Sequence, residues 1–252
     1  MAVHLVFLMR GASEGIEHLM RVLASIFALC GLVFPAFGQS SASPVVVELY
    51  TSQGCSSCPP ADALLHRLAA QDDVLALALH VDYWDYIGWK DKFARPEHTR
   101  RQKGYAHAGG RRMIYTPQMI IMGQQAVAGS DAMEIAAAIG EHQAQARPVE
   151  LTADRDGDRL SIHLNPKVAL DSRKMLVQIV RFQPERSVNI TRGELAGRNF
   201  TYANVVEDWH VAAEWDGKDE LTLSHTLTGP APAAVLVQEV GYGRILAAAR
   251  VE

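Results

Sequence analysis

Residues 45–81 read VVVELYTSQGCSSCPPADALLHRLAAQDDVLALALHV, and their pattern decides the architecture of the first half of the chain. Val45 to Tyr50 is a β-branched, apolar run of strand length, and TSQG at 51–54 supplies turn chemistry. CSSCPP at 55–60 then leads into a helix with apolar residues at Ala61, Leu64, Leu65, Leu68 and Ala69. Val74 to Val81 is an almost unbroken apolar run, as expected for a strand covered on both faces. Strand, helix and strand in this order form a βαβ unit with parallel strands.

On the C-terminal side, DYWDYIGWKDKFARPEHTRRQKGYAHAGG (82–110) turns aromatic and charged. It reads as an inserted helical segment that Pro96 opens and Gly109-Gly110 closes. YTPQMIIMGQQAVAGS (115–130) gives two short strands joined by a Gly-containing turn. DAMEIAAAIGEHQ (131–143) is a helix with Asp131 and Glu134 at capping-box spacing. QARP at 145–148 reads as a linker. From Val149 onward short alternating runs replace helical periodicity: VELTA, DRLSIHL, KMLVQIVRF, FTYANVV, HVAAEW, ELTLSHTL, AAVLVQEV and RILAAARV, with turns at Asp156-Gly157, Asp216-Gly217 and Gly229-Pro230. The expected fold class is therefore α/β, with an α/β domain at 44–146 followed by a small β-sandwich-like domain at 149–252.

On the N-terminal side, Met20-Arg21 precedes the apolar stretch VLASIFALCGLVFPAF (22–37), and Ala36 and Gly38 stand at the minus-three and minus-one positions of a cut after Gly38. This is a signal-peptide pattern over residues 1–38, with Met20 an alternative start. A membrane span is the competing reading, but the run is shorter than the ~20 residues a spanning helix needs. A lipoprotein reading of Cys30 lacks the small residue it needs, since Leu29 precedes it. The mature chain is expected to be periplasmic or secreted, with no stable membrane span. The full chain's formal charge of −4 and pI near 6.2 give no basic footprint for nucleic acid.

Loss of residues 1–38 removes Cys30 and leaves Cys55 and Cys58 as the two cysteines of an exported chain. Two thiols three positions apart, where a strand turns into a helix, set one sulfur at a helix N-terminus that favours an anion. Thiol-disulfide exchange is the chemistry this suggests, with an exposed Cys55 thiolate attacking and Cys58 resolving the mixed disulfide. Half a zinc site and an inert structural disulfide share the spacing. Pro59-Pro60 is expected to hold Cys58 and Pro59 extended and to delay the helix.

This strand-CxxC-helix arrangement is similar to the thioredoxin-like site, which implies three more residues. Pro117, after Thr116 and before the strand QMIIM, is where such proteins keep a cis-proline that shapes the substrate groove. Glu48 lies close to where they keep a buried acid that accepts the resolving thiol's proton, although strand alternation could equally turn it to solvent. More specifically, ELYTSQGCSSCPPADALL, HVDYWDYIGWKDKFA and YTPQMIIMGQQAVAGSD resemble the secreted thioredoxin-like family catalogued as domain of unknown function 1223. The resemblance extends through VNITRGELAGRNFTYANVV and WDG, over nearly all of the mature chain. It implies a thioredoxin-like domain with a helical insertion, and a redox pair at Cys55 and Cys58, without naming a substrate.

In that setting Asp82, Tyr83 and Trp84, with Asp85, Trp89 and Thr116, are candidates for a substrate-recognising rim, with core packing as the alternative. Arg95, Arg100, Arg101, Lys103, Arg111 and Arg112 read as a solvated basic helix face. The expected partners are protein or small-molecule thiols and disulfides, and no cofactor or metal is expected in the main reading. Two alternatives remain: a Cu(I)-handling site using Cys55, Cys58 and His80, and a binding scaffold with a structural disulfide.

Overall fold

The computed structural model describes residues 43–170 and 174–251. The expected signal peptide, its Met20 start and Cys30 lie outside the described residues. The βαβ reading of the deciding stretch appears as β1 (Val45–Thr51), α1 (Pro59–Ala69) and β2 (Val74–His80), with β1 and β2 parallel and in register from Val45↔Val74 to Thr51↔His80. A short 3₁₀ turn at Asp85–Ile87 precedes α2 (Pro96–Ala108). The proline at its first turn needs no N–H donor there, and Gly109 ends it by donating to the Tyr105 carbonyl. The hairpin β3 (Gln118–Ile121) and β4 (Gln125–Ala128) follows, then α3 (Ala132–Gln143), whose cap Asp131 accepts from the Glu134 N–H at 3.0 Å.

Strands from both halves of the sequence form one mixed, eight-stranded sheet in the order β11-β10-β7-β8-β2-β1-β3-β4. Within it β3 runs antiparallel to β1, and β4 antiparallel to β3. The later strands are β5 (Val149–Asp156), β6 (Arg159–Pro166), β7 (Met175–Asn189), β8 (Asn199–Trp215), β9 (Leu221–Thr226), β10 (Ala233–Glu239) and β11 (Ile245–Val251). The runs FTYANVV and HVAAEW, separate in the sequence pattern, are one long strand, β8. A second sheet, β5-β6-β9, stands against the first. The core between them holds Leu160, Ile162 and Leu164 of β6 with Val177 and Ile179 of β7 and Val235 and Val237 of β10.

The seam between the two halves is the β2–β8 edge, where only Ala78↔Val205 pairs in regular parallel register. Asn204 sits beside it with a φ of 47°, a conformation asparagine tolerates better than most residues. Its side-chain amide donates to the Ala76 carbonyl at 2.8 Å and supplies the bond that a regular ladder would have made.

Alternation along β1 sends Thr51 toward α1 and sends Glu48 and Tyr50 to the opposite face, where α2 lies. Of the two alternatives for Glu48, burial holds: it is fully buried and paired with Arg101 of α2. Arg101 donates through Nε to Oε2 at 2.7 Å and through Nη2 to Oε1 at 2.9 Å. The hydroxyls of Tyr50 and Tyr105 donate to the same carboxylate at 2.9 and 2.7 Å. Arg101 also reaches Gln238 Oε1 of β10 at 3.0 Å, and its guanidinium stacks 3.7 Å from the centre of the Trp209 ring of β8. Burial opposes the charge on Arg101, yet Glu48 beside it holds the guanidinium well above its ordinary range. The expected basic helix face is therefore corrected at this position. Arg101 points inward because a buried carboxylate must be neutralised, while Arg100 remains exposed and pairs with Glu97.

Removing one member of a buried pair leaves an uncompensated charge, whereas removing both leaves none. Arg101→Met is expected to lower unfolding free energy by about 3–5 kcal/mol in urea titrations. Adding Glu48→Met to it should recover part of the loss; a double variant as unstable as the sum of the two single ones would contradict the pairing.

Candidate functional site

The strand β1 ends at Thr51, and the chain turns through Ser52, Gln53 and Gly54 into Cys55. The Cys55 N–H donates to the Ser52 carbonyl, and Cys58 N–H to the Cys55 carbonyl, which curls the four residues 55–58 into one turn. The two sulfurs are joined, with Cα atoms 5.4 Å apart. Cys58 is the cap of α1, with φ −78° and ψ −31°, and Pro59 and Pro60 occupy the first helical positions. The expected delay of the helix is thus corrected. Cys58 is helical rather than extended because its carbonyl already accepts from Ala61 and Asp62, and the prolines lack only N–H groups that would have no partner there.

The expectation of an exposed Cys55 is also corrected, since Cys55 is 1% exposed and Cys58 fully buried. The aromatic loop that follows β2 packs on the turn that leads into Cys55. A Cβ at Gly54 would lie 3.2 Å from Cβ of Trp84 and 3.3 Å from the Ile87 methyl, so the loop sits close against this glycine. Gln53 is held from the same loop: its N–H donates to Asp91 Oδ2 at 2.7 Å, and its Oε1 accepts from Trp89 Nε1 at 2.8 Å.

The Thr116-Pro117 peptide is cis and immediately precedes β3, the neighbour of β1. A Cβ on Gly129 would stand 2.8 Å from Cβ of Pro117 and 3.2 Å from Cβ of Ala61. Pro117 and the first turn of α1 thus meet across a glycine. The buried Gln102 of α2 fixes the segment by donating to the Tyr115 carbonyl at 2.8 Å and to Gln118 Oε1 at 2.9 Å, one on each side of the cis bond. Trp84 Nε1 donates to Thr116 Oγ1 at 2.7 Å. Trp84 therefore meets the Gly54 turn through its Cβ and backbone and reaches Thr116, next to Pro117, through its indole.

The other rim candidates are anchored on α2. Asp82 Oδ1 accepts from Thr99 Oγ1 at 2.6 Å, and the Tyr83 hydroxyl donates to Gln102 Oε1 at 3.2 Å. Asp85 accepts the Asp91 N–H at 3.0 Å and so folds the loop onto itself. Glu48 faces α2, on the side of the sheet away from α1.

A different acid lies under the cysteines. Asp62 is one helical turn beyond Cys58, on the buried face of α1 with Ala61, Leu65 and Leu68. Its Oδ1 accepts from Thr51 Oγ1 at 2.8 Å. Burial pushes its carboxyl up to about 7, against the pull of His80 and the Thr51 hydrogen bond, with Asp91 adding to the rise. His80 is the register partner of Thr51 and is fully buried. Its Nδ1 lies 2.7 Å from Asp91 Oδ2, its ring meets Phe93 and Tyr202 edge-on, and its Nε2 is without a hydrogen-bond partner. Burial disfavours a charge on Asp91, but His80 and the N–H groups of Gln53 and Phe93 hold its carboxyl below the usual range. Sequence reading missed Asp62; the signal was its four-residue spacing from Cys58 on an otherwise apolar helix face. With the sulfurs joined and His80 Nδ1 on Asp91, no three His, Cys, Asp or Glu side chains among the described residues gather into a metal-ligand cluster. Among the described residues no helix is long and apolar enough to cross a membrane.

Two solved structures are similar to this chain. A crystal structure of protein AGR_C_4864 from Agrobacterium tumefaciens is 33% identical over 83% of this chain and 94% of that one, with a TM-score of 0.71. HBP35 of Porphyromonas gingivalis is 13% identical over 83% of this chain and 74% of that one, with a TM-score of 0.51, a likeness of fold alone. No curated protein matches the chain. The family model described as "Protein of unknown function (DUF1223)" matches residues 46–238, and the chain belongs to that family.

Proposed function

We propose that the chain is an exported thioredoxin-like thiol-disulfide oxidoreductase, working in the periplasm or outside the cell once residues 1–38 are removed. The observation that carries this reading is the Cys55–Cys58 disulfide at the cap of α1, with a buried, titratable acid one turn below it. The sheet order β2-β1-β3-β4 with β3 reversed, and the cis-Pro117 beside the first turn of α1, support the thioredoxin-like assignment. A disulfide that closes so short a loop contributes little by chain entropy, which argues against a purely structural role.

In the reducing direction the Cys55 thiolate attacks a substrate disulfide, forms a mixed disulfide and releases one substrate thiolate. Cys58 gives up its thiol proton to Asp62 and attacks the Cys55 sulfur. The protein disulfide closes, and the second substrate thiolate leaves and takes a proton. The oxidising direction is the same path reversed. Asp62 suits the proton transfer better than Glu48, because a carboxyl near 7 is partly ionised at neutral pH. Glu48 is already engaged by Arg101 and two tyrosines.

Cys58→Ser should accumulate mixed disulfides through Cys55 in glutathione buffers, detected by intact-mass spectrometry, while the unaltered chain cycles between dithiol and disulfide. A chain that neither cycles nor traps would overturn the oxidoreductase reading. Trp84→Ala removes the indole that ties the loop to Thr116 beside cis-Pro117, so reduction of the disulfide by glutathione should speed up several-fold in stopped-flow thiol assays. An unchanged rate would show that the indole does not restrict access to the disulfide.

A carboxyl raised by burial contributes stability that is full below the unfolded carboxyl range near 4 and is lost as pH rises through about 7. Asp62→Asn keeps an acceptor for Thr51 without the charge. Its oxidised form should match the parent near pH 4 and exceed it at pH 8, by at most roughly 4 kcal/mol. Denaturant midpoints across that range check the sign.

A further inference from the structure

The inner face of β9 continues as Leu221, Leu223, His225 and Leu227, so an imidazole stands where the repeat calls for leucine. Register fixes its direction. His225 pairs with Leu160 of β6, which is fully buried in the core between the two sheets. On the eight-stranded sheet His210 of β8 pairs with Ile179 of β7, a member of the same core. Cross-strand partners share a face, so each sheet sends one histidine into the space between them.

The two rings meet there. Their Nε2 atoms are 3.3 Å apart and their centroids 5.1 Å apart. His210 Nδ1 lies 2.8 Å from Asp208 Oδ2. A carboxylate only accepts, so Nδ1 carries the proton and Nε2 turns its lone pair toward His225. Two imidazole nitrogens bound at about 2.0–2.1 Å to one tetrahedral zinc ion are themselves about 3.3 Å apart. A carboxylate behind a ring is also the arrangement that fixes the tautomer and raises the basicity of a histidine ligand.

We propose that His210 and His225 form a two-histidine site for a borderline divalent transition-metal ion of the zinc type, clasping the two sheets, with water completing the coordination. The His210 side chain is 35% exposed, so waters and the ion reach the pair from solvent. Binding requires His225 to move its proton from Nε2 to Nδ1, which frees the second lone pair without changing the charge of the ring. The site is independent of the cysteines, because their disulfide leaves no thiolate to compete.

Isothermal titration of the full, disulfide-bonded chain with Zn²⁺ tests this. One ion should bind per chain at micromolar concentrations and raise the melting temperature. His225→Leu, which completes the leucine repeat, should lose that ion. Asp208→Asn, at an exposed position, should remain folded and bind about 10-fold to 100-fold more weakly. His163→Ala, on the outer face of β6, should bind as the parent does. If the parent binds no stoichiometric zinc, or if His225→Leu or Asp208→Asn binds it as tightly as the parent, the pair is a hydrogen-bonded contact and the proposal fails.

Discussion

The pairing of Glu48 with Arg101 governs where α2 lies, and α2 in turn governs the candidate site. A carboxylate in the middle of an apolar strand must be neutralised by a neighbour that shares its burial. Arg101 provides that charge with two hydrogen bonds, and Tyr50 and Tyr105 satisfy the remaining acceptor capacity. Gln102, the next residue on the same helix, is thereby aimed at the cis-Pro117 segment, and Thr99 and Gln102 anchor Asp82 and Tyr83. A structural ion pair on one face of β1 thus positions the loop that packs on the turn leading into the cysteines at its end.

The local elements were legible because their signals are local. Strand-like runs, the proline that opens α2, the glycines that close it and the Asp131 cap all act within a few residues of the structure they set. The architecture of the second half was less legible, because pairing between distant strands leaves no periodic trace. Nothing in KMLVQIVRF or FTYANVV shows that the sheet they form continues into β2 through one backbone pair and the amide of Asn204. The partner of Glu48 was hidden for the same reason. Arg101 lies 53 residues away, inside a run of basic residues that reads as solvated until the fold turns one of them inward.

At the site, the pair Cys55 and Cys58 was readable from spacing, and the cis-proline from the likeness to thioredoxin-like sites, where a proline precedes the strand. The steric rule that disfavours helix before proline pointed the wrong way, because it is a preference worth less than the hydrogen bonds that Cys58 makes as a cap. The packing beside the disulfide was not readable, since it follows from the loop after β2 folding back on a turn some thirty residues earlier in the chain.

The proposed use of Asp62 in place of Glu48 as the acid beside the cysteines changes the chemistry expected there, because the two carboxyls sit in opposite electrostatic surroundings. Glu48 faces a permanent cation that desolvation cannot remove, so its role is to hold charge in place. Asp62 has no such cation. His80, itself tied to Asp91, pulls its carboxyl down, and the negative charge of Asp91 pushes it up. Burial without a fixed counter-charge leaves a carboxyl free to gain and lose a proton near neutrality, which proton transfer to and from a thiol requires. The strand therefore separates the two functions by face: alternation sends the acid that fixes structure toward α2 and brings Thr51 to the titrating acid of α1.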